Sequence, residues 1–285
     1  MVRKIHIPLY VLASLSIGVA SILVRVSQAS PTACAFWRLF IASLLLLAVS
    51  GTSHAHTLCS RKLLYPLVAG LALSAHFVLW MDSLFRVSVA VSTTIVVLYP
   101  VHLVLVEVFR GEKVGLGVAV GIAIAFTAVV LLFSNSLAVS SLTGVLGTAE
   151  AFAASLAAAI YFYTGRLSRK CLSTAEYSSA TYLIASLTTL AYSLATGDNV
   201  FSYLQNSWPW LLALALVPMV GGHTVMNYLL RFYKSSTVTS IALAEPVVAS
   251  ILAAAILRER IGFIEVTALA MAIAGVALVI KSSEG

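Results

Sequence analysis

The scarcest feature of this sequence is charge. Asp, Glu, Lys and Arg make up 9% of its 285 residues, and 61% are hydrophobic. A soluble domain carries roughly 25% charged residues. A surface facing water cannot be built from so few, so the bilayer has to be part of the solvent. Aspartate is nearly missing. Asp82 and Asp198 are the only two and stand far apart, which leaves no acidic cluster for a diphosphate. Cysteine is scarce as well: Cys34, Cys59 and Cys171 contain no CxxC, giving neither a zinc signature nor a disulfide framework. There is no Walker A run, no HExxH and no GxSxG. ATP hydrolysis and the common hydrolase chemistries are thereby set aside, and no metal or cofactor is expected. Basic runs never exceed a dipeptide, so the net charge of +7 points to membrane topology and not to nucleic acid.

Long apolar runs are abundant. Ten segments stand out, at 7–24, 32–49, 63–85, 87–109, 114–133, 142–164, 177–196, 208–230, 237–257 and 263–280. Each is close to the roughly 20 residues that cross about 30 Å of hydrocarbon. A barrel would show short alternating segments instead. The pattern predicts an all-α integral membrane protein of ten transmembrane helices. The opening MVRK and the apolar stretch behind it read as a first span and not as a signal peptide, because further spans follow at once. The longest loops, 50–62 and 197–207, are too short for a separate domain. With the N-terminus on the cytoplasmic side, inner segments hold twelve Lys and Arg, and outer ones hold four, namely Arg25, Arg86, Arg258 and Arg260. That bias predicts both termini inside, with Trp208 and Trp210 at the outer interface.

The halves of the chain repeat. IASLLLLA at 41–48 matches IASLTTLA at 184–191, and STTIVVLYP at 92–100 matches VTSIALAEP at 238–246, with Pro100 opposite Pro246. HFVLW at 76–80 and HTVMN at 223–227 precede their prolines by similar distances, and Glu112 and Glu259 follow them alike. The expected division is 1–137 and 138–285. Five is odd, so two five-helix repeats must cross the membrane in opposite senses. Inverted repeats are an architecture of secondary transporters, whose site lies near the midplane between the halves.

A charge at the bilayer centre costs at least about 2.5–3.5 kcal/mol, so polar residues inside spans tend to face a cavity or a partner. The candidates are Arg38, His76, His102, Glu150, His223, Asn227 and Glu245. His76 and Trp80 share one helix face at i and i+4, as do His223 and Asn227 in the other half. These four suit a cavity wall, although a histidine bonding a neighbouring carbonyl would serve packing alone. Glu245 precedes Pro246 in mid-span, where the proline frees a backbone carbonyl. A carboxyl withdrawn from water can bind and release protons near neutral pH. Glu245 is therefore a candidate coupling group, or else a structural one that closes the helix break. Tyr99 holds the matching place. Arg38 and Glu150 lie at similar depths and are expected to form a structural ion pair, with a charged substrate as the other option. Asp82, Glu107, Glu112 and Glu259 lie near span ends and are given no transport role. Gly117 and Gly121 form GxxxG, and Ala268, Ala272 and Gly275 recur in the tenth segment. Both sets suit close helix packing.

Three stretches carry a family resemblance: SPTACAFWRLFIASLLLL (30–47), AHFVLWMDSLFRVSVAVSTTIVVLYPVHLVLVEVFRGEKVG (75–115) and GGHTVMNYLLRFYKSSTVTSIALAEPVVASILAAAILRERIG (221–262). The order GH, N, EP, RE in the last is the most specific part. Over nearly its whole length the chain resembles the EamA-like branch of the drug/metabolite transporter superfamily. The resemblance implies ten spans in two inverted repeats around a cavity lined mainly by the third, fourth, eighth and ninth spans, with the first and sixth contributing. His76, Trp80, Tyr99, His223, Asn227 and Glu245 match motif positions that would face it. It also implies a multi-pass protein of the cell membrane that moves a small polar or amphipathic metabolite such as an amino acid, often outward, by alternating access. Protons or exchange would supply the energy. The partners expected are a small-molecule substrate, membrane lipids and protons. A lipid-linked sugar flippase of the same architecture is the alternative, and a membrane-embedded enzyme is a weaker one. The apolar helix surfaces fit monomer and dimer equally.

Overall fold

The structure is a computed structural model that describes residues 4–50, 63–109, 115–138 and 142–283. Cys59, Arg61, Lys62 and Glu112, which entered the reading of topology and repeats, lie outside the described residues. Among those residues every regular element is a helix. In chain order these are α1 (Ile7–Ser27), α2 (Pro31–Ser50), α3 (Leu64–Ser83), α4 (Val89–Val96 and Tyr99–Phe109 in series), α5 (Leu116–Ala138), α6 (Leu142–Ser168), α7 (Thr174–Thr196), α8 (Leu204–Leu229), α9 (Ser235–Leu257) and α10 (Phe263–Ser283). Seven are long and apolar enough to cross a membrane: α1, α2, α3, α4, α6, α8 and α9. Within α5 and α10, shorter apolar stretches cover Leu116–Leu132 and Phe263–Val279.

Local chemistry sets the helix ends. Gln28, in the left-handed region at φ 57°, turns α1 toward α2, which starts on Pro31. Ser88 caps α4 by accepting from the Val91 amide. Ser173 and Glu176 form a reciprocal capping box that starts α7 at Thr174, earlier than the 177 expected from hydropathy. Gly197, at φ 75°, ends α7. α7 also has a polar inward face, with Ser178, Ser179, Thr181, Ser186, Thr189 and Ser193 all buried. Hydropathy alone undervalues such a helix, because its hydroxyls bond within the bundle: Thr189 to the Ala185 carbonyl and to Ser74 of α3.

The helix pairings have an internal two-fold pattern. α5 packs on α10, α2 on α7 and α4 on α9, each helix meeting the one five places along the chain. The remaining main pairings come in matched couples: α3–α6 with α8–α1, α4–α6 with α9–α1, and α3–α7 with α8–α2. The packed helices therefore separate into two triads, α3–α4–α6 and α1–α8–α9. α4 breaks at Val97–Leu98, just before Tyr99–Pro100. α9 tightens into a 3-10 turn at Ser240–Ala244, just before Glu245–Pro246. Proline has no N–H to continue the ladder, so both breaks have one cause at corresponding places. α8 instead widens into a π-helix over Ala215–Thr224, around Pro218.

The GxxxG of α5 is spent inside the chain. A side chain at Gly275 would place its Cβ 2.7 Å from the Ala125 amide nitrogen and 2.8 Å from the Gly121 carbonyl. The α5 and α10 backbones approach too closely for any residue but glycine. Gly275→Leu should therefore force the pair apart and cost about 1–3 kcal/mol, as overpacking does, seen as a lower thermal midpoint of the detergent-solubilised protein. Gly115→Ala, whose Cβ meets nothing within 4 Å, should melt like the parent. Equal midpoints for all three proteins would show that this contact carries no stability.

Candidate functional site

A small cavity lies where the two triads meet. Its wall includes Arg38 from α2, His76, Phe77 and Trp80 from α3, Tyr99 from α4, His223 from α8 and Glu245 from α9, with Ile17 and Ala20 of α1 closing one side. Five of the residues expected at a cavity thus come together: His76, Trp80, Tyr99, His223 and Glu245. Both helix breaks open onto it, since Tyr99 and Glu245 are the residues on which α4 and α9 resume. The volume is about 20 Å³, little more than one water needs.

The aromatic groups form a continuous wall. His76 stacks on Trp80 with the rings 5° from parallel and 6.2 Å apart. Phe162 of α6 stands behind, stacked against both Tyr99 and His223. His76 Nδ1 donates to the Ala154 carbonyl of α6 at 2.9 Å, since a carbonyl can only accept. That leaves its Nε2 as an acceptor. His76 therefore plays both roles weighed for it, tying α3 to α6 while lining the cavity. α6 supports the cavity from behind and supplies no side chain to its lining.

Asn227 does not share the lining. It is fully buried in a separate polar knot, where Tyr161 donates to its Oδ1 at 3.0 Å and its Nδ2 donates to Ser178 at 3.0 Å and Tyr182 at 3.2 Å. The spacing from His223 puts the two on one helix face as expected. The wide turns of the π-helix end at Thr224, however, and rotate Asn227 toward α6 and α7. His102 also lies elsewhere, edge-on to Phe152 in an apolar groove between α4 and α6.

The expected Arg38–Glu150 pair is corrected. Arg86 Nε lies 3.0 Å from Glu150 Oε2, and Arg86 Nη2 holds Asp82 Oδ2 at 2.6 Å. The Asp82 hydrogen bond keeps the Arg86 guanidinium above its ordinary pKa. Glu150 is in the third turn of α6, close to the α3–α4 turn, and reaches that loop cation. Arg38 is 0% exposed, with its guanidinium 4.0 Å over the Phe77 ring, a cation–π contact. Sequence reasoning gave Arg38 a structural ion pair first and a charged substrate second, and it missed Phe77. An unmatched charge deep in a span was the available signal for Arg38.

Polar contacts between the triads close both ends. At the end carrying the α3–α4 and α9–α10 turns, Arg25 donates to the Leu84 carbonyl and pairs with Glu259 at 3.1 Å. The Val89 amide donates to Glu259 at 2.9 Å, and Ser88 donates to Glu265 at 2.8 Å. At the other end Arg166 of α6 donates to the Tyr233 carbonyl. Glu259, to which no role was given, is thus a link between the halves. Its partners are brought together by turns and were not visible in sequence.

The profile of the EamA-like transporter family matches residues 4–134 and 145–281. A solved crystal structure aligns over 98% of this chain and 98% of its own, with TM-score 0.68 and 16% identity, a likeness of fold. No curated protein matches significantly.

The Asn227 knot predicts a separable phenotype. Asn227→Leu takes the acceptor from the buried Tyr161 hydroxyl and the donor from Ser178 and Tyr182, so it should lower the thermal midpoint by the equivalent of about 1–3 kcal/mol while ligand binding survives. A variant that melts like the parent yet binds nothing would return Asn227 to the cavity.

Proposed function

Because this chain belongs to the EamA-like transporter family, we propose that it is a secondary transporter of a small polar or amphipathic metabolite such as an amino acid, working by alternating access. It is a multi-pass membrane protein of the transporter class, and membership of that class argues against catalysis. The finer reading has ten crossings in two inverted repeats, 1–137 and 138–285, with both termini on the cytoplasmic side of the cell membrane and export as the direction. The matched helix couples and the paired proline breaks support the inverted repeat.

One observation carries the mechanism: a cavity walled in part by Arg38, His76, His223 and Glu245 sits between two triads whose cross-links of polar groups form separate sets at either end. The conformation is occluded. Releasing Arg25–Leu84, Glu259–Val89 and Glu265–Ser88 would open one side while Arg166–Tyr233 keeps the other shut, and the reverse opens the opposite side. A repeat folded both ways up supplies two such states of similar energy. Contacts inside each triad, such as Ser14 of α1 donating to the Ile241 carbonyl of α9 at 2.8 Å and the Arg86–Glu150 pair, would persist through the swing. A central, enclosed polar site favours a compact solute over a lipid-linked sugar, which needs a lateral path for its tail.

Counterflow in proteoliposomes is the test. Vesicles loaded with the right metabolite should accumulate labelled metabolite, and empty vesicles should not. Absence of counterflow across amino acids, their derivatives and sugars, in protein shown to be folded, would remove the solute-transporter reading and turn attention to lipid-linked cargo. Glu245 is the coupling candidate, so Glu245→Gln should transport with a flat pH profile where the parent's rate varies with pH. An unchanged profile would take Glu245 out of that role. Glu259→Ala should loosen the end held by Arg25 and Val89. A cysteine introduced at Val96 should then label faster with a membrane-impermeant maleimide from that side. Unchanged labelling would mean that Glu259 does not hold the gate.

A further inference from the structure

Four N–H donor atoms around the cavity meet no acceptor among the described residues: Nε, Nη1 and Nη2 of Arg38 and Nε1 of Trp80. Arg38 is 0% and Trp80 3% exposed. The ion pairs among the described residues include neither Arg38 nor Glu245, so the acid that shares the cavity does not reach Arg38 within 4.0 Å. The Phe77 ring centre lies 4.0 Å from the guanidinium carbon and covers one face of Arg38, while Arg38 itself is part of the cavity wall. Buried donors in folded proteins are nearly always paired. An arginine left open in this way is a planar fork shaped for two oxygens of one anionic group.

We infer that Arg38, assisted by the Trp80 indole N–H, is the anion anchor of this cavity and takes the carboxylate of the cargo. The inference rests on the transporter reading and adds to it the group that the cargo must carry and the residues that select for it. Arg38 stands in the lining beside His76 and His223, so a docked carboxylate would sit between the two triads, touching α2 and α3 on one side and facing α8 on the other. The acceptor Nε2 of His76 and the Glu245 carboxylate are then left for a donor at the cargo's other end. A carboxylate replaced by an amide would bring an N–H toward donors and lose the charge.

Binding by the full-length protein tests this without any substitution. Isothermal titration would compare amino acids with their amides, their decarboxylated amines and their phosphonate and sulfonate analogues. At least one carboxylate compound should bind, with its amide at least about tenfold weaker, as loss of a charged hydrogen-bonded partner implies. In Arg38→Gln the acid and amide should bind alike, and Arg38→Lys should restore part of the discrimination. Tighter binding of the phosphonate than of the carboxylate would assign the anchor to a phosphoryl group and overturn the carboxylate assignment. Equal binding of acid and amide to the parent protein would overturn the anchor itself, as would failure of every anionic compound to bind. The two readings fail separately in proteoliposomes. Counterflow of a cargo with no anionic group keeps the transporter and removes the anchor. Arg38-dependent anion binding without counterflow keeps the anchor and removes transport.

Discussion

Arg38 lies wholly out of water on α2, over the Phe77 ring and without a hydrogen bond on its three nitrogens. A charge in that position costs at least about 2.5–3.5 kcal/mol even on lenient insertion scales. The bundle around it is arranged to bear that cost. An aromatic face lies beneath the guanidinium, a carboxyl shares its cavity, and His76, His223, Trp80 and Tyr99 stand in the wall beside Ile17, Ala20 and Val96. The helices that would fill such a hole are broken or widened where they pass it, α4 and α9 at their prolines and α8 through its π-helix. The cavity thus follows from helix geometry, and its polarity follows from the charge it encloses.

The scaffold behind this centre carries the stability. The α5–α10 pair closes through glycines whose backbones nearly touch, away from the cavity, and its apolar cluster is separate from the one that surrounds the site. α7 contributes buried hydroxyls that lock onto α3 and α8. Between hydrocarbon tails, apolar side chains gain little from meeting each other, so close packing and internal hydrogen bonds hold helices together. The triads need that rigidity. If they swing as units, the elements that define them must stay packed while the contacts at each end exchange.

Much of the fold was legible because a membrane imposes a length. Runs near twenty residues marked the seven helices that are long and apolar enough to cross a membrane, and the two Pro positions marked the breaks. Helix ends were less legible where capping decided them, as with Ser173 and Glu176 at the start of α7, because hydropathy does not register a cap. The cavity residues His76, Trp80, Tyr99, His223 and Glu245 could be read from spacing and depth. Asn227 stands outside the lining because Tyr161, Ser178 and Tyr182 take its amide, and partners from other helices leave no mark in the spacing along one. Glu150 went astray because depth within a span says nothing of which loop cation, here Arg86, comes within reach. Arg25, Leu84, Val89 and Glu259 meet through turns far apart in sequence, and no local pattern records such meetings.

The repeat is nearly symmetric in backbone and not in charge, and that difference bears on how a single cargo can be held. The register that aligns 41–48 with 184–191 sets Arg38 opposite Thr181, and the register of the prolines sets Glu245 opposite Tyr99. Each half therefore brings one ionisable side chain to the cavity, a guanidinium from the first and a carboxyl from the second. A strictly two-fold site would present the same group twice and bind a cargo in either of two orientations. With one cation and one acid drawn from different halves, a cargo has one favoured orientation. Any motion of the halves against each other then changes the spacing between the groups that hold its ends. Conformational change and affinity are coupled by that geometry, since a ligand shifts an equilibrium only through its different affinity for the two states.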